Sequence, residues 1–204
     1  MAGFLFDPVD IPWSSAAEVL NSLQIGVIFA DAESRVLAAN GAAQELSSLK
    51  DGIEINEERL RTARPGETRA LQGLIAADRS PAFLTLSRPS GKRPLCVLVR
   101  PLSRDPGSAV SQRPAAAVFV NDPDRKLSVE PTALQRLYGL TPAEAVVASL
   151  VGVGQPVSDA ARQLDVQTNT VRVQLKQIYA KTGVHNQSAL VGLILTGPAQ
   201  IQLN

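Results

Sequence analysis

The stretch Gln167 to Val184, QTNTVRVQLKQIYAKTGV, constrains this chain more than any other. Val171, Leu175 and Ile178 recur at i, i+4 and i+7, so they share one face of a helix. At about 100° per residue, Asn169, Thr170, Arg172, Val173, Lys176 and Gln177 fall on the opposite face. That face carries cations, amides, a hydroxyl and a methyl-bearing side chain. These groups reach phosphates, purine edges and thymine methyls in a major groove. No Asp or Glu occurs from Val166 to the C-terminus, and Arg172, Lys176 and Lys181 are basic, so nothing in the segment repels a polyanion. By itself the pattern also describes an ordinary amphipathic surface helix.

The flanking segments separate these readings. Upstream, QPVSDAARQLDVQ predicts a short helix with Ala160, Ala161 and Leu164 inward. Small alanines let a second helix cross closely, as a helix-turn-helix requires. Gln167 is a poor N-cap, so Thr168 is expected to cap the following helix and start it one residue late. Further upstream, Leu140-Thr-Pro-Ala-Glu144 opens another helix. Thr141 is its N-cap, Pro142 suits the first helical position and Glu144 closes a capping box. Its expected apolar face is Val146, Val147, Leu150 and Val151, with Gly152 and Gly154 ending it. Asn186 caps a last helix, QSALVGLIL.

This order and spacing resemble the C-terminal DNA-binding domain of LuxR/GerE-type transcription regulators. The matching residues are Leu140-Thr141-Pro142, Glu144, Gly154, Ala161, Leu164, Thr170-Val171-Arg172, Leu175, Ile178, Lys181 and Gly183-Val184. The sequence departs from the family's habit at Pro156, Gln167, Gln174 and His185-Asn186-Gln187, where serines, a histidine and basic residues are usual. The resemblance implies sequence-specific binding to double-stranded DNA by the helix Thr168–Gly183. The expected contacts are Thr168, Asn169, Thr170, Arg172, Val173, Lys176, Gln177 and Lys181. It also implies a homodimer paired through the last helix. There Leu190, Leu193 and Ile194 fill the stripe that a domain's own core needs, and Val191 and Leu195 extend the apolar arc beyond it.

Composition bounds the rest. Net charge is only +1, so affinity for nucleic acid must come from a local patch. One cysteine, Cys96, and one histidine, His185, leave no internal disulfide and no structural zinc site. No apolar run approaches the ~18 residues of a membrane span, and MAGFLFDPVDIPW is no signal peptide. A reducing cytoplasm is the expected place, with no membrane partner.

The first half reads differently. Residues 1–15 form an irregular lead-in broken by Pro8 and Pro12. Ser15 is expected to cap a helix through Leu23. Ile25–Ala30 and Arg35–Ala39 read as a hairpin about the turn Asp31–Ser34, and Asn40 caps the helix GAAQELSSL. Asn56–Ala63 and Glu67–Ala77 read as helix-favouring segments broken by Pro65-Gly66. Phe83–Leu86, Leu95–Val99 and Ala115–Val120 read as three strands. Ser103–Pro114 reads as a loop.

IGVIFAD followed by RVLAAN-GAAQEL, with three late strands closing in AAAVFVNDPD, resembles a PAS domain. The fold class is then α+β. Residues 16–124 form a PAS-like five-stranded antiparallel sheet with helices, 125–131 a linker, and 132–204 an all-α four-helix helix-turn-helix domain. Thr132–Gly139 is a short helix joining the two. By resemblance, the space between sheet and helices is where a small-molecule ligand sits, and a sensing role stands beside a purely dimerising one. Cys96, inside an apolar strand, is expected to be a buried small hydrophobe. Phe29, Phe83 and Phe119 are expected in the core, with Trp13 as a lid or anchor. Arg88, Lys92 and Arg93 are expected on a solvated turn.

No Ser-His-Asp set, glycine-rich phosphate loop or metal-ligand spacing supports a catalytic residue, a metal or a cofactor. Asp31, after an apolar strand, raises an alternative: a response regulator controlled by phosphorylation of its first domain. That needs an acidic pair for Mg²⁺ and a late lysine.

Overall fold

The computed structural model describes residues 13–77, 80–102 and 114–201. It falls into two units, Met1–Arg125 and Lys126–Asn204.

Period-two alternation builds the first unit. In β6 (Leu95–Pro101), Leu95, Val97 and Val99 are buried while Cys96 and Arg100 are exposed. Successive side chains of a strand point to opposite faces, so one face of the sheet is committed to the core. β1 (Gly26–Ala30), β2 (Val36–Ala39), β5 (Ala82–Leu86) and β7 (Ala116–Asn121) join it in the order β2-β1-β7-β6-β5. Each neighbouring pair is antiparallel. Helices α2 (Gly41–Ser48) and α3 (Pro65–Ala76) cover the inner face. The core is aliphatic: Ile28, Leu46, Leu60, Leu71, Ile75, Leu86, Leu95, Val97 and Val118 are among its buried members.

Asn40 joins three elements. Its Oδ1 accepts from Ala43 N and from Val27 N, at 3.0 and 2.8 Å. Its Nδ2 donates to the carbonyls of Leu20 and Ile25, at 2.8 and 3.0 Å. All four hydrogen-bonding positions of the amide are filled. The N-cap role read from the sequence is therefore a lock that also fastens β1 and the end of α1 (Trp13–Asn21).

Several expectations are corrected. Asn56–Ala63 is not helical. Ile53–Asn56 (β3) and Arg59–Thr62 (β4) form a two-stranded ribbon about Glu57-Glu58, whose φ values are 49° and 59°. A two-residue hairpin loop of type I′ needs positive φ at both positions, and here two glutamates adopt it. Pro65 does not break a helix but occupies the first position of α3. Helix α1 begins at Trp13, ahead of Ser15. Phe83 is 80% exposed, and Phe29 and Phe119 are half-buried, because all three lie on the outer face of the sheet. Cys96 is exposed on that same face. The lead-in, the loop at 103–113 and the side chain of Trp13 lie outside the described residues.

Arg88 is the largest correction in this unit. Its side chain is 1% exposed, with Nε 2.8 Å from Asp51 Oδ2 and Nη1 2.7 Å from Asp122 Oδ1. Ser90 donates its N–H and hydroxyl to the Asp51 carboxylate. Those two bonds, then Arg88, pull the Asp51 carboxyl down from 3.8 to about 2. Arg93 pairs with Asp124 at 2.7 Å and Arg125 with Glu45 at 2.9 Å. Residues 122–125, where the unit ends, are thus fastened to its body.

The second unit is helical: α4 (Pro131–Tyr138), α5 (Pro142–Val151), α6 (Val157–Gln163), α7 (Thr168–Thr182) and α8 (Gln187–Thr196). The four expected helices are α5–α8. Helix α4 does more than join the units, since Ala133 and Leu134 enter the same core. Thr141 and Glu144 form the reciprocal capping box. Within α5 the buried face is Ala145, Val147, Ala148 and Val151, and Val146 is exposed. Small alanines take the inside because α5 has other helices close on it. At Gly152 a Cβ would collide with Ile194 Cδ1 of α8, so the end of α5 needs a residue without one.

Candidate nucleic-acid interface

Helix α7 is anchored from below. Val171 and Ile178 are 0% exposed and Leu175 is 5%. They pack in one core with Ala160 and Ala161 of α6 and with Ala148 and Val151 of α5. The turn between α6 and α7 is tight. Leu164 N donates to Ala160 O and Val166 N to Ala161 O, both at 3.0 Å, and Asp165 bends the chain at φ 53°. Two short helices are thereby held across one another with the second facing outward.

The helix starts at Thr168 with Gln167 as its N-cap, so Thr168 does not cap and the start is not delayed. No side chain caps this end. Instead the Gln167 carbonyl accepts from Thr170 N at 2.9 Å and Val171 N at 3.4 Å. No acid lies in the first turn, and the helix N-terminus with its unpaired N–H groups carries partial positive charge.

Asn169, Thr170, Arg172, Val173, Lys176 and Gln177 are all exposed and share the outward face, while Thr168 is half-buried at its N-terminal edge. Val173 is 54% exposed. Among the described residues, neither Arg172 nor Lys176 has an ion-pair partner. The face is therefore cationic, polar and partly apolar together.

Lys181 stands apart from this set. Its Nζ lies 2.6 Å from Glu144 Oε2, and that carboxylate also accepts from Thr141 N at 2.7 Å. The lysine and then the Thr141 N–H hold the Glu144 carboxyl below the usual range. One carboxylate thus ties the start of α5 to the end of α7. Sequence reasoning placed Glu144 only in its capping box, because its second partner lies far along the chain. Gln174, on the flank of α7, has a buried Oε1 without a partner.

In α8, Leu190 and Ile194 are buried at 1% each. Leu193 is not part of the buried stripe. It is half-buried, as are Val191 and Leu195. The helix N-cap is Asn186, whose side chain accepts from Ala189 N at 2.8 Å.

Asp31 is occupied as a turn former. Its Oδ1 accepts from Glu33 N and Arg35 N at 3.0 and 2.8 Å. The all-antiparallel sheet around it is not the parallel doubly wound sheet of phosphoacceptor domains. The response-regulator alternative is accordingly set aside. Among the described residues no helix is long and apolar enough to cross a membrane.

Comparison with known proteins agrees with the helical geometry. Residues 139–194 match the GerE family, bacterial regulatory proteins of the luxR family. No curated protein matches the chain in sequence. Similar solved structures include the phage VqmA–DPO complex, 18% identical with a TM-score of 0.38, covering 94% of this chain and 91% of that one. The Vibrio cholerae VqmA dimer is 19% identical with a TM-score of 0.37, covering 89% and 86%. The PAS domain of Bordetella pertussis BvgS is 15% identical with a TM-score of 0.37, covering 62% and 94%. With TM-scores this low, the fold rests on the strand order and helix packing given above. Residues 139–194 of the C-terminal unit thus match the helix-turn-helix domain of the luxR family.

Proposed function

We propose that this chain is a homodimeric, cytoplasmic transcription regulator that reads double-stranded DNA with α7, under the influence of a PAS-like first domain. Residues 16–124 are that domain, 125–131 the linker and 132–204 the DNA-binding domain. The observation that carries the reading is the exposed Val173 between Arg172 and Lys176, which have no ion-pair partner among the described residues, on a helix fixed by three buried residues. An exposed valine between two cations suits a thymine methyl flanked by phosphates or guanine edges. Asn169, Thr170 and Gln177 complete the polar set, and Thr168 lies at the helix end that favours a phosphate. Lys181, already paired with Glu144, serves chiefly to position the helix. Two copies meet through Val191 and Leu195 of α8, which places two α7 helices on an inverted repeat about one turn apart.

The test is binding to an operator selected from a random duplex library. Losing a good base contact costs roughly 1–3 kcal/mol, whereas a phosphate contact weakens all sequences alike and lowers the salt slope by about one. Val173→Ser is expected to relax preference at one base pair, and Arg172→Ala and Lys176→Ala to weaken binding. Unchanged affinity and preference in all three variants would remove α7 from the interface. Leu195→Glu is expected to abolish self-association and cooperative binding to the palindrome.

A further inference from the structure

The outward side of the β3–β4 ribbon carries a cluster of arginines that the DNA reading does not use. Between β4 and α3 lies an open groove of about 600 Å³. Arg59 and Arg61 of β4 line one wall. Thr68, Arg69 and Gln72, at i, i+3, i+4 and i+7 with Pro65, line the other as one face of α3. Thr62 and Thr68 close the end, their hydroxyls 2.9 Å apart.

Among the described residues no carboxylate lines this groove. Two nearby acids have partners of their own. Glu67 accepts from Ser87 N and Oγ, the latter at 2.6 Å. Glu54, opposite Arg61 in the ribbon, pairs with Lys50 at 3.3 Å. Arg59 gives one N–H to the Glu33 carbonyl at 3.2 Å, and Arg61 and Arg69 have no ion-pair partner among the described residues. The N-terminus of α3 lies beside them, with Glu67 in its first turn and no side-chain cap bond from Arg64. Three exposed arginines border one concavity, and an anion there could take a forked hydrogen bond from more than one of them. The volume is that of a small-molecule site, and guanidinium forks match the paired oxygens of carboxylates and phosphates.

We propose that this groove binds a small oxyanion, a polycarboxylate or a phosphate ester, with Arg61 and Arg69 as its principal ligands. The groove lies outside the aliphatic interior between sheet and helices, so the ligand is recognised by charge and forked hydrogen bonds, not by apolar burial. The proposal rests on the first domain's own residues and is independent of how α7 meets DNA.

Calorimetric titration of the full chain with citrate and, separately, with pyrophosphate tests it, with ionic strength held constant by sodium chloride and no DNA present. Saturable binding of at least one anion is expected. Citrate alone would identify the carboxylate source and pyrophosphate alone the phosphate source. The pair Arg61→Gln/Arg69→Gln is expected to weaken binding tenfold or more, and Arg100→Gln, an exposed arginine on the sheet's outer face, to leave it unchanged. If the glutamine pair does not fold, Arg69→Lys, which keeps charge but loses the fork, is expected to weaken binding by a smaller factor. Absence of saturable binding by either anion, or equal affinity in wild type and variant, overturns the proposal. So does a variant that loses DNA affinity while neither anion binds the wild type, since the arginines would then serve the phosphate backbone.

Discussion

The two units are held by different means. The first depends on partners far apart in sequence: Gly26 pairs with Val120 across the sheet, and Arg88 joins Asp51 to Asp122. The second is assembled mostly from neighbours: a capping box three residues wide, alanines at α-helical spacing, and a turn closed by carbonyls a few residues back. The difference teaches where each unit is vulnerable. A sheet domain fastened by a buried charge fails when that charge is unpaired. A bundle of short helices fails when two helices can no longer approach.

The largest effect is therefore expected at Arg88. Its guanidinium is nearly inaccessible and its two main partners are mostly covered. Removing one member of a buried ion pair costs about 3–5 kcal/mol, because the remaining charges are left uncompensated. Arg88→Ala should lose that much in the first unit, leaving Asp51 and Asp122 facing a void. Hydrogen exchange should show β5–β7 amides opening while α5–α8 amides keep their protection. Uniform loss of protection in both units would mean that they are one cooperative body and the contrast is false.

The matching change in the second unit is Gly152→Ala. Its φ of −72° suits any residue, so the demand is for space alone. The added methyl meets Ile194 Cδ1 and the Ala148 carbonyl, and overpacking of this kind costs about 1–3 kcal/mol. Urea unfolding followed by helical circular dichroism should lose that amount. Ile194→Val in the same chain should return part of it by making room, which a purely conformational effect of Gly152 would not allow.

Acid sharpens the comparison. Asp51 is held at about 2, below its ordinary 3.8. A depressed carboxyl contributes in full above its unfolded value, and that contribution drains as pH falls through the folded one. The first unit should weaken between about pH 4 and pH 2. Glu144 is also depressed, by Lys181, so the second unit loses its clamp in the acid direction too. Asp51→Asn should flatten the acid dependence of β5–β7 protection and leave that of α5 and α7 in place.

What the sequence disclosed follows the same division. Thr141, Glu144, Asn186 and the spacing of Val171, Leu175 and Ile178 are local signals, and the helices formed around them. The β3–β4 ribbon was misread because Glu, Arg and Asn favour no strand individually. Its alternation, Ile53-Glu-Ile55 against Arg59-Leu60-Arg61, tells only when the two runs are set opposite each other. Arg88 sits between Ser87 and Pro89 in a turn-like context, so its burial depended on Asp51 and Asp122 converging from elsewhere. The outward face of α7 was legible because helical geometry alone separates it from the buried one. The arginine groove was not, since Arg59, Arg61 and Arg69 lie on two elements whose packing no periodicity reports.

The smallest effect expected is at Asp165, inside the turn that is the most local feature of all. Its φ of 53° is left-handed, a conformation that costs an L-residue free energy, less for Asp than for most. Glycine adopts it without that cost but gives up entropy from the unfolded chain, so the two terms partly cancel. Asp165→Gly should stabilise the second unit by no more than about 1 kcal/mol, raising its urea midpoint slightly. Asp165→Ala, which keeps the strain and removes the short polar side chain that eases it, should lower the midpoint. A turn held by the backbone carbonyls of Ala160, Ala161 and Arg162 should respond in those opposite directions. If instead both substitutions destabilise equally, the Asp165 carboxylate itself holds the turn, and the second unit would share the first unit's dependence on a placed charge.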